Sequence, residues 1–310
     1  MKFKMTGLVA ATFTPMHDDG SLNLGQIQAI VQHLIDSQVA GLYVCGTTGE
    51  GPSLSTEERE AVVAAYVAAV QGRIPVIVQV GHTSLAEAAR LARHAQTVGA
   101  DAISAVAPWY FKPDSLPVLI DCLKMITSAA PELPFYYYHL PSITGIDFDM
   151  RQLLQAADQH LPSLVGIKYT APRVDQFQAC VEFDGGRYDI LFGCDEMLLS
   201  ALTIGAQGAV GSTYNFLAPL YVRLIDAFRA NDLDQARRLQ SQAVRIIHAI
   251  VRLRGVAGLK AAMKIRGVDC GPCRLPLQTV QADELEQLRQ ELGSLAFWDQ
   301  ESLPSVRKGV

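Results

Sequence analysis

Short apolar runs alternate with longer amphipathic segments through the first two thirds of the chain. Between the runs, apolar residues recur at helical spacing, as at Ile27, Ile30 and Val31 in the predicted helix 24–35. This alternation predicts eight β-strands, each followed by a helix. The predicted strands are 7–11, 41–46, 75–81, 101–107, 135–138, 164–168, 189–193 and 208–211.

A repeated strand-helix unit is typical of a closed parallel barrel, so we expect a TIM (β/α)8 barrel. After residue 217 only helical patterns follow, at 220–229, 233–253, 256–265 and 282–292. We therefore expect a barrel over 1–217 and a helical extension over 218–310, packed on it as one structural unit. An open doubly wound sheet is the alternative, but the chain lacks the G-x-G-x-x-G turn usual after its first strand.

Two helix starts carry the same polar signal. Ser55 and Glu58, and likewise Ser84 and Glu87, have the spacing of a capping box. In such a box the serine side chain accepts a backbone N–H from the glutamate, and the glutamate accepts one from the serine. Both helices are therefore predicted to begin at these serines.

Composition narrows the class of partner. Of the 310 residues 49% are hydrophobic and 18% charged, and the net charge is -5 without a basic stripe. These values favour a globular protein that acts on small molecules, and they argue against nucleic acid. The N-terminal apolar stretch meets Thr12, Thr14 and Pro15 too early for a signal peptide or a membrane span. We expect a cytoplasmic protein with no membrane partner.

The cysteines are predicted to be reduced thiols, because most of the six lie far apart in apolar or helical segments. Cys270 and Cys273 form a C-x-x-C motif, which in thioredoxin-like proteins follows a strand and opens a helix. Here the motif follows a helical segment and precedes Arg274. A turn that carries two thiols is the better interpretation, and a metal site would need a second ligand pair.

Lys168 ends the predicted strand 164–168. Strand alternation places Leu164, Gly166 and Lys168 on one face and Val165 and Ile167 on the other, with the lysine directed into the barrel. Desolvation disfavours an ammonium ion, and a neutral amine can attack a carbonyl to form a Schiff base. An ordinary ion pair or a side chain that reaches water would explain the lysine equally well.

Tyr138 ends the neighbouring strand, where Tyr136 and Tyr138 share one face and Tyr137 lies on the other. A tyrosine at the carboxyl end of a barrel strand can transfer protons as a general acid or base. Consecutive aromatic residues in a strand are usually core, so this hypothesis depends on Lys168 lying nearby.

Three loops at the same end of the barrel carry further polar groups. The glycine-rich loop 46–51 lacks the lysine of a phosphate-binding loop and suits a small carboxylate better, with Thr47 and Thr48 as hydroxyl donors. Asp195, Glu196 and Ser212 are of the type that binds polyols. Either acidic residue could instead cap the helix that follows, and for Asp195 taken alone capping is the better interpretation.

These segments together resemble the family of class I pyruvate lyases that includes dihydrodipicolinate synthase and N-acetylneuraminate lyase, and within it most closely the animal-type N-acetylneuraminate lyases. The resemblance rests on the order and spacing of its motifs across nearly the whole chain. The motifs are GTTGEGPSLS at 46–55, LPFYYYHLP at 133–141, GIK at 166–168, FGCDE at 192–196, GAVGSTYN at 208–215 and RLPLQ at 274–278.

The resemblance implies an aldolase that reversibly cleaves N-acetylneuraminate to N-acetylmannosamine and pyruvate. Lys168 would form the Schiff base with pyruvate, and Tyr138 would carry the proton at the bond that breaks. Thr47 and Thr48 would bind the pyruvate carboxylate. The residues implied for the sugar chain are Thr170, Gly193, Asp195, Glu196 and Ser212. A protonated imine is itself an electron sink, so neither a metal nor another cofactor is expected. The family resemblance also implies a homotetramer.

Two positions refine this resemblance. Dihydrodipicolinate synthases carry an arginine five residues after the catalytic tyrosine, to bind a second carboxylate, whereas this chain has Ile143. Tyr110 resembles the tyrosine that the synthases lend to a neighbouring subunit, where animal-type lyases have phenylalanine. Three alternatives to an N-acetylneuraminate lyase remain: a lyase or dehydratase for another 2-keto-3-deoxy sugar acid, a synthase-like enzyme, and a non-catalytic binding barrel.

Overall fold

The computed structural model describes residues 3–297. Eight parallel strands form a closed barrel in sequence order, and β8 pairs with β1 to close it. The predicted fold class is therefore confirmed. The strands are β1 Gly7–Ala11, β2 Gly41–Val44, β3 Val76–Gln79, β4 Ala102–Ala105, β5 Phe135–His139, β6 Leu164–Tyr169, β7 Asp189–Phe192 and β8 Gly208–Gly211.

Helices surround the barrel and extend beyond it. Those that connect or follow the strands are α1 Ile27–Asp36, α2 Thr56–Val70, α3 Leu85–Thr97, α4 Leu116–Thr127, α5 Pro141–Thr144, α6 Met150–His160, α7 Val174–Val181, α8 Leu198–Thr203 and α9 Tyr214–Arg229. The C-terminal helices are α10 Leu233–Val251, α11 Val256–Ile265 and α12 Ala282–Ser294. In the part of the chain described, no helix is long and apolar enough to span a membrane.

The helical extension is built on α9, against which α10 packs along much of its length. α11 contacts both α9 and α10, and α12 contacts α10 and α11. The boundary proposed at residue 217 falls within α9, so a single helix belongs to both parts of the chain.

Alternation along the strands divides the core into two layers. Side chains that face the barrel axis, such as Val9, Tyr43 and Ile77, form an inner cluster. Their neighbours along the strands, such as Leu42 and Val44, pack outward against the helices in a larger cluster. This is the arrangement expected when both faces of a parallel sheet are buried.

The predicted faces of β6 are only partly right. Ile167 packs outward and Lys168 inward as expected, but Leu164 belongs to the outer cluster and Val165 contacts the inner one. The cause is an irregularity in pairing with β5, where Phe135 pairs with Leu164 and the next residue, Tyr136, pairs with Gly166. One extra residue in β6 reverses the alternation before it, as in a β-bulge.

One of the two predicted capping boxes is complete. At α2 the Ser55 hydroxyl accepts the Glu58 N–H, and the Glu58 carboxylate accepts the Ser55 N–H at 2.9 Å. At α3 the Ser84 hydroxyl accepts the Glu87 N–H, but the Ser84 N–H donates to His82 Nδ1 at 2.9 Å. The second predicted capping box is therefore wrong, because His82 accepts the Ser84 N–H in place of Glu87.

Candidate active site

A cavity of about 290 Å³ opens at the carboxyl ends of the barrel strands. Every residue predicted for the site contributes to its lining, although they come from five separate loops and strand ends. These residues are Thr47, Thr48, Tyr138, Lys168, Thr170, Gly193, Asp195, Glu196 and Ser212. The strand ends of a barrel converge on one rim, so the fold brings together residues that are far apart in sequence.

Lys168 is buried at the base of this cavity, with 5% of its surface exposed. Its Nζ lies 3.9 Å from the centre of the Tyr43 ring and 4.0 Å from that of the Tyr138 ring. Within residues 3–297 it forms no ion pair with a carboxylate. Neither an ordinary ion pair nor a side chain that reaches bulk water describes this lysine, and the amine faces the space where a ligand would bind.

The three consecutive tyrosines have different surroundings. Tyr137 faces the helices, whereas Tyr136 and Tyr138 face the barrel axis as predicted. The Tyr136 hydroxyl donates to Asp189 Oδ2 at 2.6 Å, and burial beside that carboxylate raises its pKa far above the ordinary value. Tyr138 alone of the three lines the cavity, so it is the one placed to exchange protons with a ligand.

Tyr43 is a residue near the site that the sequence analysis did not select. Its hydroxyl donates to Ser104 Oγ at 3.0 Å, and its ring meets that of Tyr138 edge to face at 5.6 Å between centroids. Burial raises the pKa of Tyr43 well above the ordinary value, so its phenol stays neutral. The rings of Tyr43 and Tyr138 together offer two π faces to a positive charge at Lys168 Nζ.

The loop after β2 brings Thr47 and Thr48 to the cavity. Thr48 Oγ1 lies 2.7 Å from Ser212 Oγ, which joins this loop to the one after β8. Thr47 is exposed to the cavity. The backbone is tightly folded here, because a Cβ at Gly51 would overlap the carbonyl oxygen of Cys45. The two hydroxyls are thus presented from a loop with little freedom to move.

Asp195 is buried and held by the start of α9. Its Oδ2 accepts the Thr213 N–H at 2.9 Å and the Thr213 hydroxyl at 2.6 Å. The alternative role as cap of its own helix is wrong, since no side-chain bond of that kind forms at the turn that begins there. Burial raises the pKa of Asp195 to about 6, against the lowering effect of the Thr213 hydrogen bonds.

Thr170 and Gly193 form a close pair beside Asp195. A Cβ at Gly193 would overlap Thr170 Oγ1, so only glycine fits opposite the threonine. Among the described residues Thr170 Oγ1 is buried without a hydrogen-bond partner. Such an oxygen at a cavity wall is a candidate to bond with a hydroxyl of a ligand. Glu196 adds an exposed carboxylate to the same side.

The helical extension supplies an apolar wall that sequence reasoning missed. This wall comes from α10, α11 and the turn between them: Ile247, Val251, Gly255, Val256 and Leu259. Its residues look like an ordinary buried helix face in the sequence, so only the tertiary fold assigns them to the site. Ile143 also lines the cavity, 61% exposed, at the position where the synthases carry arginine.

The surroundings of the cysteine side chains indicate whether any of these thiols is reactive. All six cysteines lie within the described range and are free. Cys270 and Cys273 lie in the segment after α11, and burial raises their pKa values to about 12 and about 11. Reactive thiols have lowered pKa values, whereas burial disfavours the thiolate form of both these cysteines. Within residues 3–297 no cluster of three or more His, Cys, Asp or Glu is arranged to hold a metal ion.

Known proteins resemble this chain both in sequence and in fold. The chain matches the dihydrodipicolinate synthetase family over residues 4–295. It is 41% identical to N-acetylneuraminate lyase of Mus musculus, over 99% of this chain and 97% of that protein. The structure of Proteus mirabilis N-acetylneuraminate lyase superposes with a TM-score of 0.93 at 40% identity, over 95% of this chain and 100% of the other. For N-acetylneuraminate lyase (sialic acid aldolase) of Aliivibrio salmonicida the TM-score is 0.92 at 37% identity, over 96% and 98%. The chain therefore belongs to the dihydrodipicolinate synthetase family.

Proposed function

We propose that this protein is a class I aldolase, a carbon-carbon lyase that reversibly cleaves N-acetylneuraminate to N-acetylmannosamine and pyruvate. The observation that carries the proposal is the position of Lys168 Nζ, buried between the rings of Tyr43 and Tyr138 at the base of the cavity. The lyases from Mus musculus and Proteus mirabilis, which share two fifths of their residues with this chain, support the choice of substrate.

The chemistry begins at Lys168. Its neutral amine adds to the keto carbon, and one proton, supplied by the Tyr138 hydroxyl, is taken up as water leaves, which gives a protonated imine. Tyr138, which is a phenolate after that step, then takes the proton of the β-hydroxyl as the bond between the α and β carbons breaks. The bonding electrons move to the imine, so an enamine forms in place of an unstabilised carbanion. Protonation of the enamine and hydrolysis release pyruvate and restore the amine.

The remaining residues bind the two ends of the substrate. Thr47 and Thr48, with the amides of their loop, would donate hydrogen bonds to the carboxylate next to the keto carbon. Thr170, Gly193, Asp195, Glu196 and Ser212 would hold the hydroxyl-rich chain on the opposite side. Ile143 offers no guanidinium for a second carboxylate, which favours a sugar over the second substrate of the synthases.

Reductive trapping tests the imine. Sodium borohydride added with pyruvate should give a stable adduct on Lys168, seen as a mass increase in the peptide that contains it. Lys168→Ala should abolish the adduct, whereas Lys124→Ala, which changes an exposed lysine on α4, should leave it unchanged. An adduct that persists in Lys168→Ala would overturn the mechanism.

A coupled assay for pyruvate release tests the substrate. We expect kcat/KM for N-acetylneuraminate to exceed that for 2-keto-3-deoxy sugar acids without the acetamido group. A marked preference for the latter would assign the same imine chemistry to a different sugar acid. Binding of N-acetylneuraminate without release of pyruvate would instead identify a non-catalytic barrel.

The homotetramer is also proposed here. Tyr110 and Phe111 are 76% and 86% exposed on the loop after β4, and they contact each other edge to face at 5.0 Å. Adjacent exposed aromatic side chains are typical of surfaces that pair with another chain. Sedimentation equilibrium should give four chains per particle, and a monomer would contradict the proposal.

We further propose that the protein acts in the cytoplasm. Its six free cysteines support a reducing compartment, since oxidising compartments favour disulfides. Fractionation of the source cells with antibody detection should find the protein with cytoplasmic markers.

A further inference from the structure

Glu50 ends the loop that carries Thr47 and Thr48, yet it lies outside the cavity lining. Its side chain is fully buried, and Oε1 lies 2.7 Å from Nζ of Lys260 in α11, whose side chain is 3% exposed. Oε2 accepts the backbone N–H of Arg274 at 2.9 Å. A buried ion pair therefore joins a loop of the barrel to the helical extension.

The backbone around Glu50 is held in an uncommon conformation. Its φ is +53°, and Cys45 at the start of the same loop has φ +59°. Non-glycine residues occupy this left-handed region rarely, and they persist there when surrounding contacts determine the conformation. The Glu50 N–H donates to the Thr47 carbonyl at 3.1 Å, so the position of Glu50 directly affects that of Thr47.

A buried ion pair has a specific physical consequence. Removing two charges from water is costly, and an apolar pair of similar volume often stabilises a fold as well or better. Separation of the two charges, however, leaves each one buried without a partner. The loop can therefore not move relative to α11 without a large penalty. Lys260 is fixed in turn by donating to the Pro272 carbonyl at 2.7 Å.

We propose that the Glu50–Lys260 ion pair holds Thr47 and Thr48 in the position that binds the substrate carboxylate. The helical extension acts on the loop in this way through Lys260. This inference rests on the proposed function of the loop in pyruvate binding. Neither residue touches the substrate; both act through the backbone of the loop. The extension thus contributes to the site twice, by its apolar wall and by this ion pair.

Steady-state kinetics in the condensation direction test the proposal. Glu50→Gln keeps the shape of the side chain and removes its charge. We expect its KM for pyruvate to rise by about tenfold or more, because small displacements of binding groups have large effects. Its KM for N-acetylmannosamine should rise several-fold less, since of the proposed sugar contacts Ser212 is joined to this loop, through Thr48, and the others lie on other loops. Lys264→Met is the matched control, because it breaks the exposed Lys264–Asp269 pair on the same helix.

A double variant keeps the test valid if Glu50→Gln does not fold. Glu50→Gln with Lys260→Met leaves no unpaired charge, and it should fold and still show the selective rise in the pyruvate KM. A pyruvate KM equal to that of the wild type, or equal rises for both substrates, would overturn the positioning role.

Borohydride trapping separates this inference from the proposed function. Wild-type protein should be trapped by pyruvate at lower concentration than by methyl pyruvate, which lacks the carboxylate. In Glu50→Gln the concentrations of pyruvate and methyl pyruvate needed for trapping should become similar, and methyl pyruvate should still give an adduct. No trapping of the wild type by either compound would reject the Schiff-base mechanism. Normal trapping with an unchanged difference in the variant would reject only the role of Glu50 and Lys260.

Discussion

Tyr136 and Tyr138 face the barrel interior from one strand, but their hydroxyls are placed for different tasks. Tyr136 is committed to Asp189 at 2.6 Å, and Asp189 also accepts the Met5 N–H at 2.8 Å. Tyr138 lies against Lys168 and lines the cavity. A hydroxyl already bonded to a buried carboxylate serves the fold, whereas one open to the cavity can serve chemistry.

Exchange of each tyrosine for phenylalanine should separate these tasks. Tyr138→Phe should lower kcat for cleavage by about 100-fold to 10,000-fold, because the proposed proton carrier is lost. It should still form the borohydride adduct with pyruvate, since Lys168 is intact. Tyr136→Phe should instead lower the free energy of unfolding by about 1 to 3 kcal/mol. Equal kcat losses in the two variants would contradict this assignment.

The residues that the sequence could predict are those that end strands or follow them in motifs. Lys168 and Tyr138 were found in this way, because period-two alternation gives their direction. Tyr43 could not be, since its contact with Lys168 joins β2 to β6, strands that are not neighbours. Likewise the bonds from Thr213 to Asp195 depend on where two loops meet, which no local pattern records.

The raised pKa of Asp195 predicts a pH dependence of stability. Its folded pKa of about 6 lies above the ordinary 3.8, so the folded state binds the proton more tightly than the unfolded state. The resulting stability is fully present below pH 3.8 and is lost as the pH rises through about 6. Between pH 5 and pH 7 the wild type should lose about 1 kcal/mol relative to Asp195→Asn.

Urea unfolding of both proteins at the two pH values measures this loss. The comparison with Asp195→Asn cancels the contributions of groups that titrate in both proteins. A constant difference between the two proteins would mean that Asp195 is ionised throughout this range.

At the scale of secondary-structure elements, one extra residue in β6 determines which of its side chains face the barrel axis and which face the helices. The pairing irregularity lies before Gly166, so the alternation from Gly166 to Lys168 is regular. Gly166 itself is required by close packing, because a Cβ there would overlap the carbonyl oxygen of Asp189 on β7. Alternation alone places Lys168 correctly, but it cannot reveal a bulge, which depends on the partner strand.

Gly166→Ala should therefore disturb both the sheet and the site. The added methyl group can be accommodated only if β6 and β7 separate, which should lower the free energy of unfolding by about 3 kcal/mol or more. Because Lys168 lies two residues away on the same face, trapping by pyruvate should also slow. Gly25→Ala is the control, since a Cβ there meets only one side-chain atom at 3.8 Å. Chemical denaturation of both variants measures the effect, and similar stabilities would disprove the packing argument.

The whole molecule depends on contacts between its first helices and its C-terminal segment. Arg274 follows α11 and forms two 2.6 Å hydrogen bonds with Glu58, the residue that completes the capping box of α2. Its Nε donates to the Gly20 carbonyl at 2.9 Å. The sequence predicted the order of barrel and extension, but it could not show that the extension completes the cavity. That information lies in contacts across more than two hundred residues, such as Arg274 to Glu58.

Arg274→Ala tests whether barrel and extension unfold together. The bidentate pair is largely buried, with side chains 21% and 28% exposed, so its loss should lower the free energy of unfolding by about 2 kcal/mol. Arg252→Ala is matched to it, because Arg252 also bonds a glutamate, Glu291, at 2.6 Å but is 67% exposed. That change should lower stability by only about 0.5 kcal/mol, since solvent already weakens an exposed pair.

The shape of the transition is as informative as its midpoint. If the two parts form one cooperative unit, Arg274→Ala should show a single thermal transition with a lower midpoint temperature, and circular dichroism and tyrosine fluorescence should report the same midpoint. A separate early transition would mean that the extension opens before the barrel. The apolar wall of α10 and α11 would then leave the cavity first, and pyruvate release from N-acetylneuraminate should fall at temperatures where the barrel is still folded.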